Sequence, residues 1–307
     1  MNASSIVATV EFESAQVRAA REIPDTIVTG CPQLDLAWTI YARKILASPI
    51  LIPDTEGDLN WHAFLGHSLD MQGFRAAEFF GVDELTRSVP GFTPLKSLGI
   101  GVAELGALWE IEPIQNYLLA RSKGEPLSAT FDVLAEHGGK VGQALADAFR
   151  KFGRCRFAST VRACLQNAAA LKPYGYSFRN WLMTECEKLG IAEFPPADFQ
   201  AATNFKSLSV EMALRHQLEN TFYQVGPALA PYMLCDWQLW LWNQRRTGVF
   251  ANFKLDSFHQ EFVKRFGRGV IPEDEPGFAQ WWLSLYPELP PRLANECIWL
   301  GIENKDF

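Results

Sequence analysis

One carboxylate, Asp236, stands in the most apolar stretch of this chain and has the clearest potential for chemistry. It is followed closely by Trp237 and Trp240. A carboxylate buried among such side chains must be paired, hydrogen-bonded or protonated, and burial raises its pKa. A group of this kind suits a general base or a stabiliser of a cationic sugar transition state, with the indole rings offering faces to a base. The alternative is a core aspartate that is tied to a helix end, to Arg245 or to Arg246, among tryptophans that only pack.

Asp256 is a second candidate for catalysis. It follows a loop and directly precedes SFHQEFVKRFG, which has the pattern of a helix. An aspartate in that position is commonly a helix N-cap. Both roles, cap and catalytic carboxylate, remain open from the sequence.

A third group of polar residues lies in the first hundred positions. Asn60 and His62 occur in LNWH, and Arg75 and Glu78 occur in GFRAAEFF. Arg75 and Glu78 are three apart and share a helical face, which is typical of a surface ion pair of little energetic weight. The more specific interpretation is a substrate-binding group in which the planar fork of Arg75 holds a phosphate.

Neither histidines nor cysteines indicate a metal site. The five histidines show no HxxxH or HxH spacing, and the six cysteines form no CxxC pair. Structural zinc and iron–sulfur sites use such spacings. We therefore expect no metal and no other cofactor, and free thiols.

These candidate residues must be positioned by helices, because helical periodicity dominates the chain. Apolar residues recur at three- and four-residue spacings over most of its length. The only strand-like runs are 6–12 and 50–52. The pattern predicts helices over 34–47, 72–87, 102–121, 127–137, 142–152, 158–171, 174–190, 207–223, 227–244 and 257–267. The fold class predicted is all-α.

The segment 209–246 is predicted to be a helix, a tight turn and a second helix. Val225, Gly226 and Pro227 form the turn, and proline suits the first turn of a helix because its missing N–H is not needed there. The second helix is apolar nearly all round and is therefore expected to be buried. Asp236 lies on this helix.

A proline pair at 195–196 suggests a division of the chain. We expect an N-terminal helical lobe over 1–195 and a C-terminal lobe over 196–307 that carries the glycine turn, with a cleft between them. The alternative is one continuous helical domain.

Composition limits the partners and the compartment. The chain has 307 residues, 48% of them hydrophobic and 21% charged, and a formal net charge of −7. This balance disfavours tight, nonspecific binding to nucleic acid, although a local basic patch remains compatible with DNA. No apolar run is long enough to span a membrane and the N-terminus has no signal-peptide pattern, so a cytoplasmic protein is expected.

At the glycine turn the chain resembles a known family. VGPALAPYMLCD is similar to the turn and following helix of the helix-hairpin-helix DNA glycosylase superfamily, and most similar to its phage branch that hypermodifies thymine. That branch includes alpha-glutamyl and putrescinyl thymine pyrophosphorylases and amino acid:DNA transferases. WTIYARKI, MQGFRAAEFF and NECIWLGIENKDF also resemble segments of that branch, with Glu78 in place of its usual aspartate, Lys305 retained and Asn304 where an acid is usual. The branch's Pro-Gly-Pro-Gly segment and the first glycine of a glycosylase hairpin are missing.

A second resemblance leads to the same carboxylate. VRACLQNAAALKPYGYSFRNW and LPPRLANECIWL are similar to segments of the queuosine-nucleotide salvage hydrolases, whose helical fold is related. In that family an aspartate assists cleavage of an N-glycosidic bond, and Asp236 is the nearest match.

The first resemblance implies a transferase that adds an amino acid or amine to an activated 5-hydroxymethylpyrimidine in DNA. Asp236 would deprotonate the amine, Arg75 would hold the leaving pyrophosphate, and Lys305 and Gly226 would contact substrate. The phage branch would place the protein in the host cytoplasm. The second resemblance implies a hydrolase of a modified base in DNA or in a free nucleotide. The third possibility is a protein without catalytic activity, either a reader that binds a modified base or a helical partner protein.

Overall fold

A computed structural model of the chain describes residues 23–47, 79–80, 93–121, 127–153, 157–190, 205–227, 229–235, 239 and 257–307, the first seven of residues 205–227 by their backbone alone. All regular secondary structure in these residues is helical, which confirms the all-α class. In chain order the helices are α1 (Pro32–Ala47), α2 (Val102–Trp109), α3 (Glu112–Leu119), α4 (Ser128–His137), α5 (Gly139–Phe152), α6 (Ala158–Ala170), α7 (Phe178–Lys188), α8 (Phe205–Thr221), α9 (229–235), α10 (Ser257–Phe262), α11 (Glu275–Leu285) and α12 (Pro291–Asn304).

Backbone contacts divide the chain into two units that alternate along the sequence. Unit 1 comprises Met1–Ile52, Ile191–Ala213 and Leu234–Phe307, and unit 2 comprises Pro53–Gly190 and Leu214–Met233. The predicted lobe boundary at residue 195 lies in 191–204, outside the described residues. The division into lobes over 1–195 and 196–307 therefore stays a prediction.

The core of unit 1 is built where α1 and α11 bring two tryptophans together. Trp38 and Trp282 are both buried, with ring centroids 5.6 Å apart. Each indole N–H has a carbonyl acceptor: Trp38 donates to Pro24 at 2.9 Å and Trp282 donates to Leu289 at 2.8 Å. Buried tryptophans need such partners, so these bonds let large apolar rings fill the core without a polar penalty. Helix α12 packs against α1.

Unit 2 is built from helix pairs, with α2 against α6 and α4 against α5. Gly106 allows the first pair to approach closely, because a Cβ there would lie 3.2 Å from the backbone of Ala169. Aromatic rings pack on the second pair: Phe79, which lies outside both helices, stacks on Phe149 of α5 at a centroid distance of 4.4 Å. These pairs form the frame from which α6 presents its polar residues.

Most predicted helices within the described residues are confirmed, including the cap of α7. Ser177 precedes that helix, and its hydroxyl accepts from the backbone N–H of Asn180 at 3.1 Å. The single helix predicted over 102–121 is wrong, since α2 and α3 are separate. Pro113 occupies the first turn of α3, and a proline inside one continuous helix would remove a hydrogen bond and clash with the preceding turn.

The proline-rich C-terminal part contains two helices that the sequence pattern did not predict. Pro276 and Pro291 each lie in the first turn of a helix, α11 and α12. Proline is suited to that position because its N–H would be unsatisfied there and its backbone is already helical. The prolines therefore mark where helices begin.

Three further findings concern membrane spans, metal sites and strands. No helix among the described residues has the length and apolar character needed to cross a membrane. Within the same residues, no group of three His, Cys, Asp or Glu side chains is arranged to hold a metal ion. The strand-like runs 6–12 and 50–52 lie outside the described part of the chain.

Candidate functional site

The predicted helix, turn and helix around Gly226 are confirmed over the residues that the structure describes. Helix α8 ends at Thr221, the chain turns over 222–227, and α9 follows. The carbonyl of Gly226 accepts from the N–H of Leu229 at 2.9 Å and of Ala230 at 3.0 Å. Gly226 therefore supplies the first carbonyl of α9.

Gly226 is half-buried, and its side-chain position faces no neighbour among the described residues. A Cβ built on this glycine would meet no heavy atom of those residues within 4 Å, and its φ lies outside the left-handed region. The left-handed residue of the turn is instead Gln224, with φ 63°. Because the backbone conformation does not require glycine at 226, the residue is free to serve for a close approach of another molecule to the main chain.

The side-chain amide of Asn167, on α6, holds this turn through two hydrogen bonds to its backbone. Its Nδ2 donates to the carbonyl of Tyr223 at 3.1 Å, and its Oδ1 accepts from the N–H of Tyr223 at 2.7 Å. Asn167 is fully buried. One buried amide thus satisfies both backbone groups of a turn residue, which holds the turn in a single position.

Arg162 and Gln166 place a cation on the same turn. The guanidinium carbon of Arg162 lies 4.0 Å from the ring centroid of Tyr223, within cation–π range. Its Nε donates to Oε1 of Gln166 at 2.9 Å. Both side chains come from α6, four residues apart and on the same face.

Aromatic rings support the first residue of the turn. Phe222 is buried against Trp181, with ring centroids 5.0 Å apart, and Trp181 stacks on Phe178 at 5.4 Å. The turn is therefore anchored by an apolar cluster at Phe222 and by an amide at Tyr223. Such anchoring is what a preorganised binding loop requires.

Comparisons with known proteins found no match. This holds for protein-family models, for curated proteins and for solved structures. The family resemblances of this chain therefore rest on its short motifs.

Of the predicted site residues, the structure describes Gly226 and Lys305. Lys305 is exposed and has a left-handed backbone, φ 61°, at the end of α12. Its N–H donates to the carbonyl of Ile302 and the N–H of Asp306 donates to Gly301, at 3.2 and 3.0 Å. This is a Schellman ending with lysine where glycine is usual. Its predicted contact with substrate stays a prediction.

The other predicted site residues lie outside the described part of the chain, and their roles stay predictions. They are Asp236, Asp256, Arg75, Glu78, Asn60, His62, Trp237 and Trp240. The helix that leads to Asp236 is described up to Cys235, and the side chains of Leu234 and Cys235 are buried.

Unit 1 contains a buried network of polar side chains that the sequence did not predict. Nη1 of Arg292 donates to Oδ1 of Asn295 at 2.7 Å, and Nδ2 of Asn295 lies 3.0 Å from Nδ1 of His259. Arg292 also pairs with Glu296 at 2.5 Å. All but Glu296 are buried, and they join α12 to α10.

The hydrogen bonds between Arg292, Asn295 and His259 determine which ring nitrogen of His259 carries the proton. Arginine can only donate, so the Asn295 oxygen faces Arg292 and its NH₂ group faces His259. Nδ1 of His259 must then accept, which places the proton on Nε2. Burial lowers the pKa of His259 to about 4, so the ring is neutral at pH 7. Arg292 is paired with Glu296, and His259 is neutral.

Two signals in the sequence could have drawn attention to these residues. Arg162, Gln166 and Asn167 are polar positions in a helix otherwise rich in alanine and other small side chains. Arg292 and Asn295 fall in an apolar helix whose neighbours are buried. A polar residue on a buried helical face needs a partner, and these helices carry several.

Proposed function

We propose that this chain is a nucleobase-processing enzyme of the helix-hairpin-helix DNA glycosylase-like class, with two helical lobes and a cleft. Its reaction is the transfer of an amino acid or small amine onto an activated 5-hydroxymethylpyrimidine in phage-type DNA, in the host cytoplasm. The observation that carries the proposal is the fixed turn at Gly226. It joins two helices, leaves its glycine open to close approach, and precedes the helix that leads to Asp236.

The reaction would proceed by displacement at the base's exocyclic methylene carbon. The target base leaves the duplex and stacks against Trp237 and Trp240. The amine nitrogen bonds to the methylene carbon as the bond from that carbon to pyrophosphate breaks, and the amine proton passes to Asp236. Arg75 holds the departing pyrophosphate, whose charge its fork matches.

The remaining predicted residues act in binding. Asn60, His62 and Glu78 would contact the base or the incoming amine, and Lys305 would contact a phosphate. Asp256 would act beside Asp236 or cap α10. No metal or other cofactor enters this scheme.

A second candidate is hydrolysis of an N-glycosidic bond in DNA or in a free nucleotide, with Asp236 stabilising positive charge on the sugar or activating water. One contact favours it. The segment 161–181 resembles the queuosine-nucleotide hydrolases, and its Asn167 is hydrogen-bonded to the glycine turn that resembles the DNA enzymes. In both reactions Asp236 would be the acting carboxylate.

Mass analysis of nucleosides separates the candidates. DNA containing 5-hydroxymethyl-pyrimidine pyrophosphate is incubated with the protein and an amine, digested and compared with a sample lacking protein. A nucleoside that carries the amine in place of the pyrophosphate, with release of free pyrophosphate, supports the transferase. A free base and an abasic sugar support the hydrolase. Binding of the DNA with neither product would leave a non-catalytic reader and contradict the enzyme proposal.

A further inference from the structure

Arg162 is held in one orientation at the glycine turn. Its guanidinium rests on the ring of Tyr223 at 4.0 Å, and its Nε is engaged by Gln166. Tyr223 is itself fixed, because Asn167 binds both of its backbone groups. The side chain is half-buried, so the position of its charged end is set by packing as well as by hydrogen bonds.

These contacts leave the outer edge of the guanidinium, Nη1 and Nη2, directed to no acceptor in the part of the chain that the structure describes. Arg150 of the same unit differs, since it forms ion pairs with Asp132 at 2.9 Å and Asp147 at 3.2 Å. The chain has a net charge of −7, so acidic side chains are plentiful. An arginine fixed in place without one is arranged to receive an anion from elsewhere.

The geometry selects the kind of anion. Two parallel N–H groups on one planar edge match two oxygens of a phosphate, and a guanidinium stacked on an aromatic ring loses little freedom on binding. Gly226 lies three residues after Tyr223 in the same turn, and its side-chain position faces no heavy atom of the described residues within 4 Å. We propose that Arg162 binds a phosphate group of the substrate beside the glycine turn. The identity of the substrate rests on the proposed function, while the phosphate site rests on the contacts of Arg162.

A phosphate at this position could come from two sources. It could be a phosphodiester of duplex DNA or the terminal phosphate of a free nucleotide. Binding of a fluorescently labelled 12-base-pair duplex is measured by anisotropy, with competition by thymidine 5′-monophosphate and by inorganic phosphate. Tight binding of the duplex identifies the diester, and preferential binding of the mononucleotide identifies the terminal phosphate.

Arg162→Gln is the main variant. It is expected to weaken binding of whichever phosphate ligand the wild type prefers by at least roughly tenfold. If the ligand is DNA, the slope of log K against log salt is expected to fall by about 1. Arg162→Lys keeps the charge without the fork and is expected to recover only part of the affinity.

Arg121→Gln is the matched control. Arg121 also lies over a tyrosine of unit 2, at 4.3 Å from the ring of Tyr117, and is exposed. Its substitution is expected to leave binding within about twofold of the wild type. Thermal unfolding of each variant shows whether the fold is retained.

Equal affinity in wild type and Arg162→Gln, or equal losses in Arg162→Gln and Arg121→Gln, would overturn the inference. Its failure is distinguishable from that of the proposed function. Phosphate binding that depends on Arg162 without base turnover contradicts the function alone. Base turnover with an unchanged KM in Arg162→Gln contradicts the phosphate site alone.

Discussion

The amide of Asn167 brackets the backbone of Tyr223, donating to its carbonyl at 3.1 Å and accepting from its N–H at 2.7 Å. The two residues are 56 positions apart in sequence. The contact ties α6 to the turn between α8 and α9. The conformation of the turn therefore depends on how α6 packs against it, and not on the turn sequence alone.

Replacing Asn167 with alanine is expected to destabilise the protein by about 2 kcal/mol or more, since two backbone groups lose their partner at once. Chemical denaturation measures this loss. Asn180→Ala is the control, because Asn180 is exposed and bonds a single carbonyl, that of Tyr174. If Asn167→Ala lowers the free energy of unfolding no more than Asn180→Ala does, the two hydrogen bonds to Tyr223 are energetically unimportant.

Gly226→Ala is expected to weaken substrate binding without lowering the stability of the fold. The added methyl group meets no atom of the described residues, and the position does not have a left-handed φ, so stability is expected to stay the same or rise by up to about 1 kcal/mol. Substrate binding is expected to weaken at least several-fold, since a ligand that approaches the main chain meets the methyl group. Gly175→Ala also adds a methyl to open space, but at φ 66°, and is expected to cost about 1 kcal/mol. Unchanged substrate affinity in Gly226→Ala would remove the turn from the site.

The buried His259 predicts a dependence of stability on pH. The folded pKa is lowered by burial to about 4, whereas an unfolded histidine titrates near 6.5. Between these values the unfolded chain binds a proton that the folded chain does not. The stabilising contribution is therefore complete above about pH 6.5, is lost as the pH falls to about 4, and changes no further below it. The size of the loss is about 3 kcal/mol.

The measurement for His259 is the free energy of unfolding from pH 7 to pH 4. His259→Gln is expected to flatten the curve over this interval, although the variant is less stable at pH 7. His216→Gln, at an exposed position, is the control and should keep the wild-type slope. If the slope survives in His259→Gln, other groups cause it.

Gly301 and Phe307 form a second testable pair. A Cβ on Gly301 would overlap the ring of Phe307, which packs on Phe262 and Phe266 with centroids 5.5 and 5.6 Å away. Gly301→Ala is expected to cost about 1–3 kcal/mol through displacement of the ring. Combining it with Phe307→Leu should cost less than the sum of the two single changes, because the smaller side chain relieves the overlap. Strict additivity in thermal unfolding would argue against the contact.

Local features of this structure could be predicted from the sequence, whereas long-range contacts could not. The helices around Gly226 could be predicted, since apolar periodicity and a glycine–proline turn are local signals. The bracket at Tyr223 and the contact of His259 with Asn295 could not, because they join residues 56 and 36 positions apart. Hydrogen bonds of this kind depend on how helices pack, which no spacing in the sequence encodes. Pro113 shows the converse, because this local signal for a helix start outweighs the apolar periodicity that continues across it.

The most direct test of the proposed enzyme is single-turnover kinetics of wild type and Asp236→Asn on DNA bearing the activated base, followed by mass analysis of the products. Loss of the carboxylate is expected to reduce the rate by more than roughly tenfold while the unfolding transition is unchanged. Full activity in a folded Asp236→Asn protein would contradict the assignment of this carboxylate, and with it the reaction proposed for the chain.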